Sequence, residues 1–577
     1  MARHQICSST SRRVKIRASQ GSSLQLNSPA SRHGEQPLPG TRTVALVKTC
    51  GQKGQIRVWE LTLVISYQQH GKACIGRNDK PDESSTGEDC LFLDIYAPSG
   101  STTKSKLPVF FFIQGGGFNS NSTPNLNGTG LVLASGLSII VITLNYRVGP
   151  YGFLADGEHV TANNGLRDQR KALEWVQQHI AKFGGDPGHV VLGGASAGAA
   201  SISLHLIANG GKDLGLFHAA AAESVSFATV LTANESRYQF NNLALRLGCS
   251  GNGTSIGGNS SSYSAPYAES EKRQILSCLR SKPAGEVQRA INQNIPFPVP
   301  ANSTINPPIF MWNPVIDGDF LTELTYTAFL RGNFIKHVPV IFGDDTNGGT
   351  MFAPKTTSTQ AESNQFLRDQ FPYLTTQHLA ALNALYPNPN QSACPAPGCW
   401  WRQASNVYGD MRYMCPGLFL NDVFYKHGGE NNNGNNNRSY AYRYNVEDQD
   451  QMAQGLGVPH TAELHAVFGP NHTAKSSAPP KSYYEGGENE AVVDVVQAYW
   501  ISFIKFFDPN RYNRYYHGGE VGTGSGSAAV WRPWRGWDDG QRLLFDSGGK
   551  TSMERIDKET RTRCGYLIGI GEEVRQF

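Results

Sequence analysis

The run Gly194-Ala195-Ser196-Ala197-Gly198 places a serine between glycines, behind a strand-like stretch (His189–Leu192) and ahead of a helix-like one (Ala197–Leu206). A sharp strand-to-helix turn forces such a serine into a strained backbone position. It lifts the hydroxyl above the sheet, at the positive end of the following helix. That is the setting of a nucleophile for carbonyl attack. A second glycine run, Gln114-Gly115-Gly116-Gly117-Phe118, follows the apolar stretch Val109–Ile113. Without Cβ atoms in the way, its backbone N–H groups are free to point at an oxygen developing negative charge, together with the N–H of Ala197. The competing chemistry, a phosphate loop, needs G-x-x-x-x-G-K-[ST]. The closest approach, Gly549-Lys550-Thr551, has Leu544 where the first glycine should be. Nucleophile and anion pocket together indicate acyl transfer.

These residues need a scaffold that fixes them to a fraction of an ångström. Val109–Ile113 and Leu137–Leu144 read as buried strands, and Leu166–Phe183 carries a helical apolar stripe stopped by Gly184-Gly185-Asp186-Pro187. Strand, helix, strand, helix in that order predicts a parallel sheet covered on both faces. Val338–Phe342 is a later strand, Ala491–Phe507 a late apolar helix, and residues 210 to 335 are mostly helical with a Gly/Ser/Asn insertion at Ser250–Ser264. Gly428–Ser439 and Gly518–Ser527 are low-complexity loops.

Composition narrows the class. The 577 residues, 39% hydrophobic and 17% charged, fit three or four average domains or one large α/β enzyme. A net charge of +4 gives no electrostatic case for nucleic acid or an anionic membrane. The longest uncharged reach, Leu107 to Tyr146, is broken by glycines and polar residues, so no membrane span is expected. The opening 34 residues carry six Lys and Arg and no acid, and contain no apolar signal core. They read as a basic tail with the flavour of a transit peptide. Sequons at Asn121, Asn127, Asn234, Asn252, Asn259, Asn302, Asn390, Asn437 and Asn471 point outward instead.

Phe183-Gly184-Gly185-Asp186-Pro187-Gly188-His189-Val190-Val191-Leu192-Gly193-Gly194-Ala195-Ser196-Ala197-Gly198 resembles the nucleophile signature of type-B carboxylesterases. Glu88-Asp89-Cys90-Leu91-Phe92-Leu93-Asp94-Ile95-Tyr96-Ala97-Pro98 resembles that family's second signature, with Phe92 where Tyr is usual. Asn145-Tyr146-Arg147-Val148-Gly149 and Asn164-Gly165-Leu166-Arg167-Asp168-Gln169 fit as well. The resemblance covers residues 67–577 as one α/β-hydrolase domain, behind an atypical, weakly structured segment 1–66 in which a single apolar run, Trp59 to Ile65, reads as a strand. It implies ester hydrolysis through an acyl-enzyme on Ser196, with Gly116, Gly117 and Ala197 as oxyanion donors. His460, in Gly457-Val458-Pro459-His460-Thr461-Ala462-Glu463, resembles the catalytic-histidine segment. No metal or organic cofactor is implied; the partner is a small-molecule ester, and oligomeric state is left open.

One departure is serious. The family acid is a Glu followed by Gly, but Gly343-Asp344-Asp345-Thr346-Asn347-Gly348-Gly349-Thr350 has Gly348 in that place. Three readings stay open: Asp345, or Asp344 beside it, reaches His460; a carboxylate from elsewhere, such as Glu463, substitutes, or none does; or efficient turnover has been lost. The last makes a weakened binding protein on the same scaffold an alternative to an esterase, and a lipase is a second enzyme option. The family resemblance also implies disulfides Cys74–Cys90 and Cys249–Cys278. Cys394 and Cys399 can close a small loop, with Cys415 as another partner, while Cys7, Cys50 and Cys564 are unassigned. A zinc reading of Cys394, Cys399 and Cys415 lacks a fourth ligand. Such bridges form in an oxidising compartment, so secretion is expected.

Overall fold

Alternate residues of the apolar stretch Val109–Ile113 enter two different cores. Val109, Phe111 and Ile113 pack with Ile140, Ile142, Val190 and Leu192, whereas Phe110 and Phe112 pack with Val141 and Val191. Because a strand's side chains alternate between faces, an unbroken apolar run is what a sheet buried on both sides requires. The computed structural model describes residues 12–15, 47–48, 71–80, 85–120, 126–250, 269–292, 306–428, 438–473, 479–511 and 528–577. The Trp59–Ile65 run, Cys7, Cys50 and the Gly518–Ser527 loop lie outside them, as does most of Gly428–Ser439 and of the Ser250–Ser264 insertion.

The strands are β1 (Arg12–Lys15), β2 (Val47–Lys48), β3 (Phe92–Tyr96), β4 (Leu107–Ile113), β5 (Ile140–Leu144), β6 (Gly185–Ala195), β7 (Ala219–Glu223), β8 (Leu231–Thr232), β9 (Val315–Ile316), β10 (Val340–Asp345), β11 (Ser439–Asn445), β12 (Gln541–Asp546) and β13 (Lys550–Arg555). The main sheet runs β1-β3-β5-β4-β6-β7-β10-β11-β12-β13, with β2 also on β3, while β8 and β9 pair separately. Pairing is parallel from β5 through β12 and antiparallel at β1–β3, β3–β5 and β12–β13. β1 and β2 come from the N-terminal segment read as weakly structured, and both pair with β3.

One face is covered by the helices Asn164–His179 and Ala197–Gly211, the other by Glu490–Phe506. The helix expected over Leu166–Phe183 divides in two: an α-helix to His179, then a 3₁₀ turn Ile180–Phe183 ended by Gly184 at φ +88°. β6 is longer than its apolar segment, because parallel pairing to β4 extends it to Gly185. β5 is shorter than the Leu137–Leu144 run, beginning only at Ile140.

Disulfides Cys74–Cys90 and Cys249–Cys278 are present, and Cys394 pairs with Cys399. Cys415 takes Cys564, 149 residues away, and so does not compete for the small loop. No described helix is long and apolar enough to cross a membrane.

Candidate active site

Ser196 joins β6 to the helix Ala197–Gly211 at φ 57°, ψ −119°. This is a left-handed conformation that costs a non-glycine residue of order 1–3 kcal/mol and persists only where the surroundings enforce it. Here the serine N–H donates to the Glu223 carbonyl at 2.9 Å, and its own carbonyl accepts from Ala200 N at 2.8 Å. The flanking glycines are sterically required. A Cβ at Gly194 would meet the Gly198 carbonyl carbon at 2.7 Å, and one at Gly198 would meet the Ile113 oxygen at 1.9 Å.

The glycine loop after β4 lies against the serine: a Cβ on Gly115 would stand 2.9 Å from Ser196 Cβ. Gly116 and Gly117 hold φ of +112° and +60°, which suit glycine alone. Their amides, and that of Ala197, donate to no other described residue. Asn119 fixes the loop's far side. Its Nδ2 donates to the Gly117 carbonyl at 2.6 Å and the Trp312 carbonyl at 2.8 Å, and its Oδ1 accepts from Trp312 N at 3.1 Å. Tyr146 Oη donates to the Gln114 carbonyl at 2.9 Å.

His460 is buried on the loop before the short helix Leu464–Phe468. Its ring stacks on Tyr413, with centroids 4.0 Å apart and planes at 28°, and meets Phe352 edge-on at 5.4 Å. Phe352 in turn lies 5.9 Å from Phe310, whose ring occupies the space a Gly117 Cβ would need. An aromatic wall thus connects the imidazole to the glycine loop. Neither ring nitrogen of His460 has a hydrogen-bond partner among the described residues. Burial, helped by the positive charge of Arg412, pushes its pKa down to about 3, so the ring is neutral at physiological pH.

The candidate acids divide by the strand's alternation. Asp345 ends β10 on the side of the site. Its Oδ2 accepts from Thr461 N at 2.7 Å and Ser224 Oγ at 2.9 Å, so it holds the residue after His460 and not the imidazole. Asp344 alternates to the other face; burial raises its pKa to about 7, with charges acting on it from Arg542, Asp410, Arg443 and Glu463. Glu463 Oε1 accepts from Tyr442 Oη at 3.0 Å and lies 3.5 Å from Ser224 Oγ. At Gly348 a Cβ would find Tyr413 Cδ2 at 3.3 Å.

Sequence reasoning missed Glu223. Its carboxyl is fully buried, accepts from Trp500 Nε1 at 2.8 Å, and makes a carboxyl trio with Asp345 and Glu463, while its backbone carbonyl accepts from Ser196 N. Burial and mutual repulsion raise the pKa values of Glu223 and Asp345 well above the carboxylate range, and burial raises that of Glu463. The readable signal was a charge closing the all-alanine run Ala219–Ala222. Arg412 and Tyr413, on a π-helical turn Asp410–Met414, were also missed; nothing in their local pattern marks them. Among the described residues no group of three or more His, Cys, Asp or Glu is arranged to hold a metal ion.

The model of the carboxylesterase family matches residues 57–564. The chain belongs to that family. Among the carboxylesterase's relatives, secreted lipase 1 of Botryotinia fuckeliana is 30% identical over 483 residues, 79% of this chain and 72% of that protein. Lipase 1 of Geotrichum candidum is 35% identical over 285 residues, and this match spans only about half of either chain (47% and 46%). The crystal structure of Aspergillus niger EstA superposes with a TM-score of 0.76 at 35% identity, covering 88% of the carboxylesterase and 89% of that chain. The fold is that of an α/β-hydrolase.

Proposed function

We propose that this carboxylesterase cleaves small carboxylic esters through an acyl-enzyme on Ser196. Ser196 Oγ attacks the carbonyl carbon while neutral His460 takes the hydroxyl proton. The amides of Gly116, Gly117 and Ala197 stabilise the tetrahedral oxyanion. His460 returns the proton to the departing alcohol, and water resolves the acyl-enzyme by the reverse route. The observation that carries the reading is the strained φ 57° of Ser196 beside a glycine loop whose Gly116 and Gly117 amides donate to no described residue. That strain holds the serine hydroxyl against the glycine loop, where a nucleophile is needed.

The triad acid is reduced in this scheme. Asp345 acts on His460 through the Thr461 amide, holding the loop without touching the ring. An imidazolium formed in the transition state then lacks a facing carboxylate. Serine hydrolases deprived of the acid retain part of their rate. The same observation favours the second reading, a slow enzyme serving as a binding protein. A fluorophosphonate probe separates the two: covalent labelling of Ser196, abolished in Ser196→Ala and slowed in His460→Ala, is expected of the esterase, and an unlabelled serine leaves only the binding protein.

Secretion and glycosylation belong to the same reading. The relatives named secreted lipases and the four described disulfides support an extracellular protein. Asn234, Asn390 and Asn471 are exposed and within sequons, and they are the expected glycan sites. Glycosidase-sensitive mass on peptides carrying these residues tests it.

A further inference from the structure

Three features meet at His460. The family acid position is glycine; a tyrosine ring lies flat on the imidazole; and the same ring bounds the space a side chain at 348 would enter, 3.3 Å from the Gly348 Cβ direction. Tyr413 reaches this place from a π-helical turn, Asp410–Met414, between the helices Trp401–Gly409 and Cys415–His427. Such turns insert a residue into a helix and redirect the side chains around it. The turn is pinned on both sides. Asp410 accepts from Tyr386 Oη at 2.7 Å and Arg563 Nε at 3.2 Å, and Cys415 is bonded to Cys564. Arg412 Nε donates to Ser226 Oγ at 2.9 Å. The Tyr413 ring is itself packed, 5.7 Å from Phe352 and 6.1 Å from Tyr408.

An acid facing a catalytic imidazole does two things: it fixes the ring's orientation and it stabilises the imidazolium. An aromatic face within stacking distance can do the first, and for the second it supplies only the weaker cation–π attraction of its ring in place of a carboxylate's full charge. We infer that Tyr413 is a positioning residue for His460, taking over by stacking the orienting role that a side chain at position 348 would otherwise have, and that a Cβ at position 348, 3.3 Å from Tyr413 Cδ2, would press on that ring and shift it. The inference rests on the proposed role of His460 as the base. The charged and titratable groups around the imidazole are Arg412 on the π-turn, Asp345 at the end of β10, whose carboxylate holds the Thr461 amide, and Glu463 three residues beyond the histidine. None of them hydrogen-bonds the ring, so its orientation is left to Tyr413 and Phe352.

The test is steady-state ester hydrolysis by the full chain over a range of pH, with thermal melting of every variant as a control. Tyr413→Leu is expected to lower kcat about 100-fold with little change in KM, the scale of loss for a misplaced catalytic group. It should also move the acidic limb of kcat/KM upward, because water then reaches the imidazole. Tyr413→Phe keeps the stacking face and should lose no more than about threefold. Gly348→Ala, whose methyl presses on the Tyr413 ring, should lower kcat in a protein that still melts cooperatively. Gly348→Glu should gain activity only when combined with Tyr413→Leu, which leaves room for the carboxylate. Equal kinetics and equal pH limbs for Tyr413→Leu and Tyr413→Phe would overturn the inference, as would a gain from Gly348→Glu alone. If His460→Ala leaves hydrolysis unchanged, it is the role of His460 that fails, whatever Tyr413 does.

Discussion

Gly198, two residues past Ser196, lies so close to the end of β4 that a Cβ would stand 1.9 Å from the Ile113 carbonyl oxygen. The helix that follows Ser196 can therefore seat against the strand that leads into the Gly115–Gly117 loop only while position 198 is glycine. Gly198→Ala is expected to destabilise the protein by about 1–3 kcal/mol, as overpacking does, and to weaken Ser196 labelling in whatever remains folded. Gly417, in the helix Cys415–His427 with no atom within 4 Å of its Cβ position, is the control. Gly417→Ala should stabilise by roughly 0.5–1 kcal/mol. Urea unfolding of the two variants measures both signs.

Asn119 touches no reacting atom in the scheme, yet its three hydrogen bonds tie Gly117 to Trp312. Asn119→Ala leaves the Gly117 amide to wander from its line toward the oxyanion. A loss in kcat of roughly 10- to 100-fold is expected, with the melting temperature changed far less than the rate. A rate equal to that of the parent protein would exclude a positioning role for this side chain.

Stability should respond to pH through two opposed sets of buried groups. His205 and His460 are pushed down to about 3 and His465 to about 4, all by burial. The unfolded chain takes up protons on them below about pH 6.5 while the folded chain does not. Their contribution is complete above that pH and is lost as pH falls toward 3. The carboxyls behave inversely. Asp344 is raised to about 7, and Glu223, Asp345 and Glu463 are raised as well. The folded chain holds these protons after the unfolded chain has released them, so stability declines as pH rises from about 4. Glu223→Gln removes one such group while keeping an oxygen for Trp500. It should raise the melting temperature at pH 8 and hardly at pH 4. The same shift at both values would refute the linkage.

Arg147 and Asp168, from two of the sequence motifs, form a two-pronged ion pair at 2.7 and 2.6 Å, with Asp168 also accepting the Arg147 N–H at 3.1 Å. Only 2% of the Asp168 side chain is exposed. Asp168→Ala leaves a buried guanidinium without its acid, and a loss of about 3–5 kcal/mol is expected. The pair Arg331–Glu323, with the arginine 68% exposed, should be worth at most about 1 kcal/mol. Chemical denaturation of single variants at each site compares them directly.

What the sequence made legible was local. The strand–serine–helix turn and the glycine loop depend on neighbours in sequence, where residue type constrains geometry tightly, whereas the first two disulfides were implied by the family resemblance. The unread part was long-range. Asp344 and Asp345 differ by one step along a strand, which sends one to each face, and which face meets His460 depends on a partner strand far along the chain. Tyr413 stacks on a ring 47 positions later from a π-turn that follows no regular hydrophobic period. Glu223 entered through the charge trio, a contact among three separate segments. The partner of Cys415 was equally invisible, since spacing alone favoured the nearby Cys394 and Cys399.

That last pairing also orders events in time. Cys564 is made 149 residues after Cys415. Until it emerges, the turn bearing Arg412 and Tyr413 has no covalent anchor, and closing so long a loop removes about 5 kcal/mol of chain entropy from the unfolded ensemble. Ser196 and its glycine loop are translated long before the turn that packs on the histidine ring can be covalently anchored. In the proposed scheme a nascent chain therefore carries its serine well before the turn that stacks on His460 is covalently held, and full activity is expected only after Cys415 and Cys564 have been oxidised together.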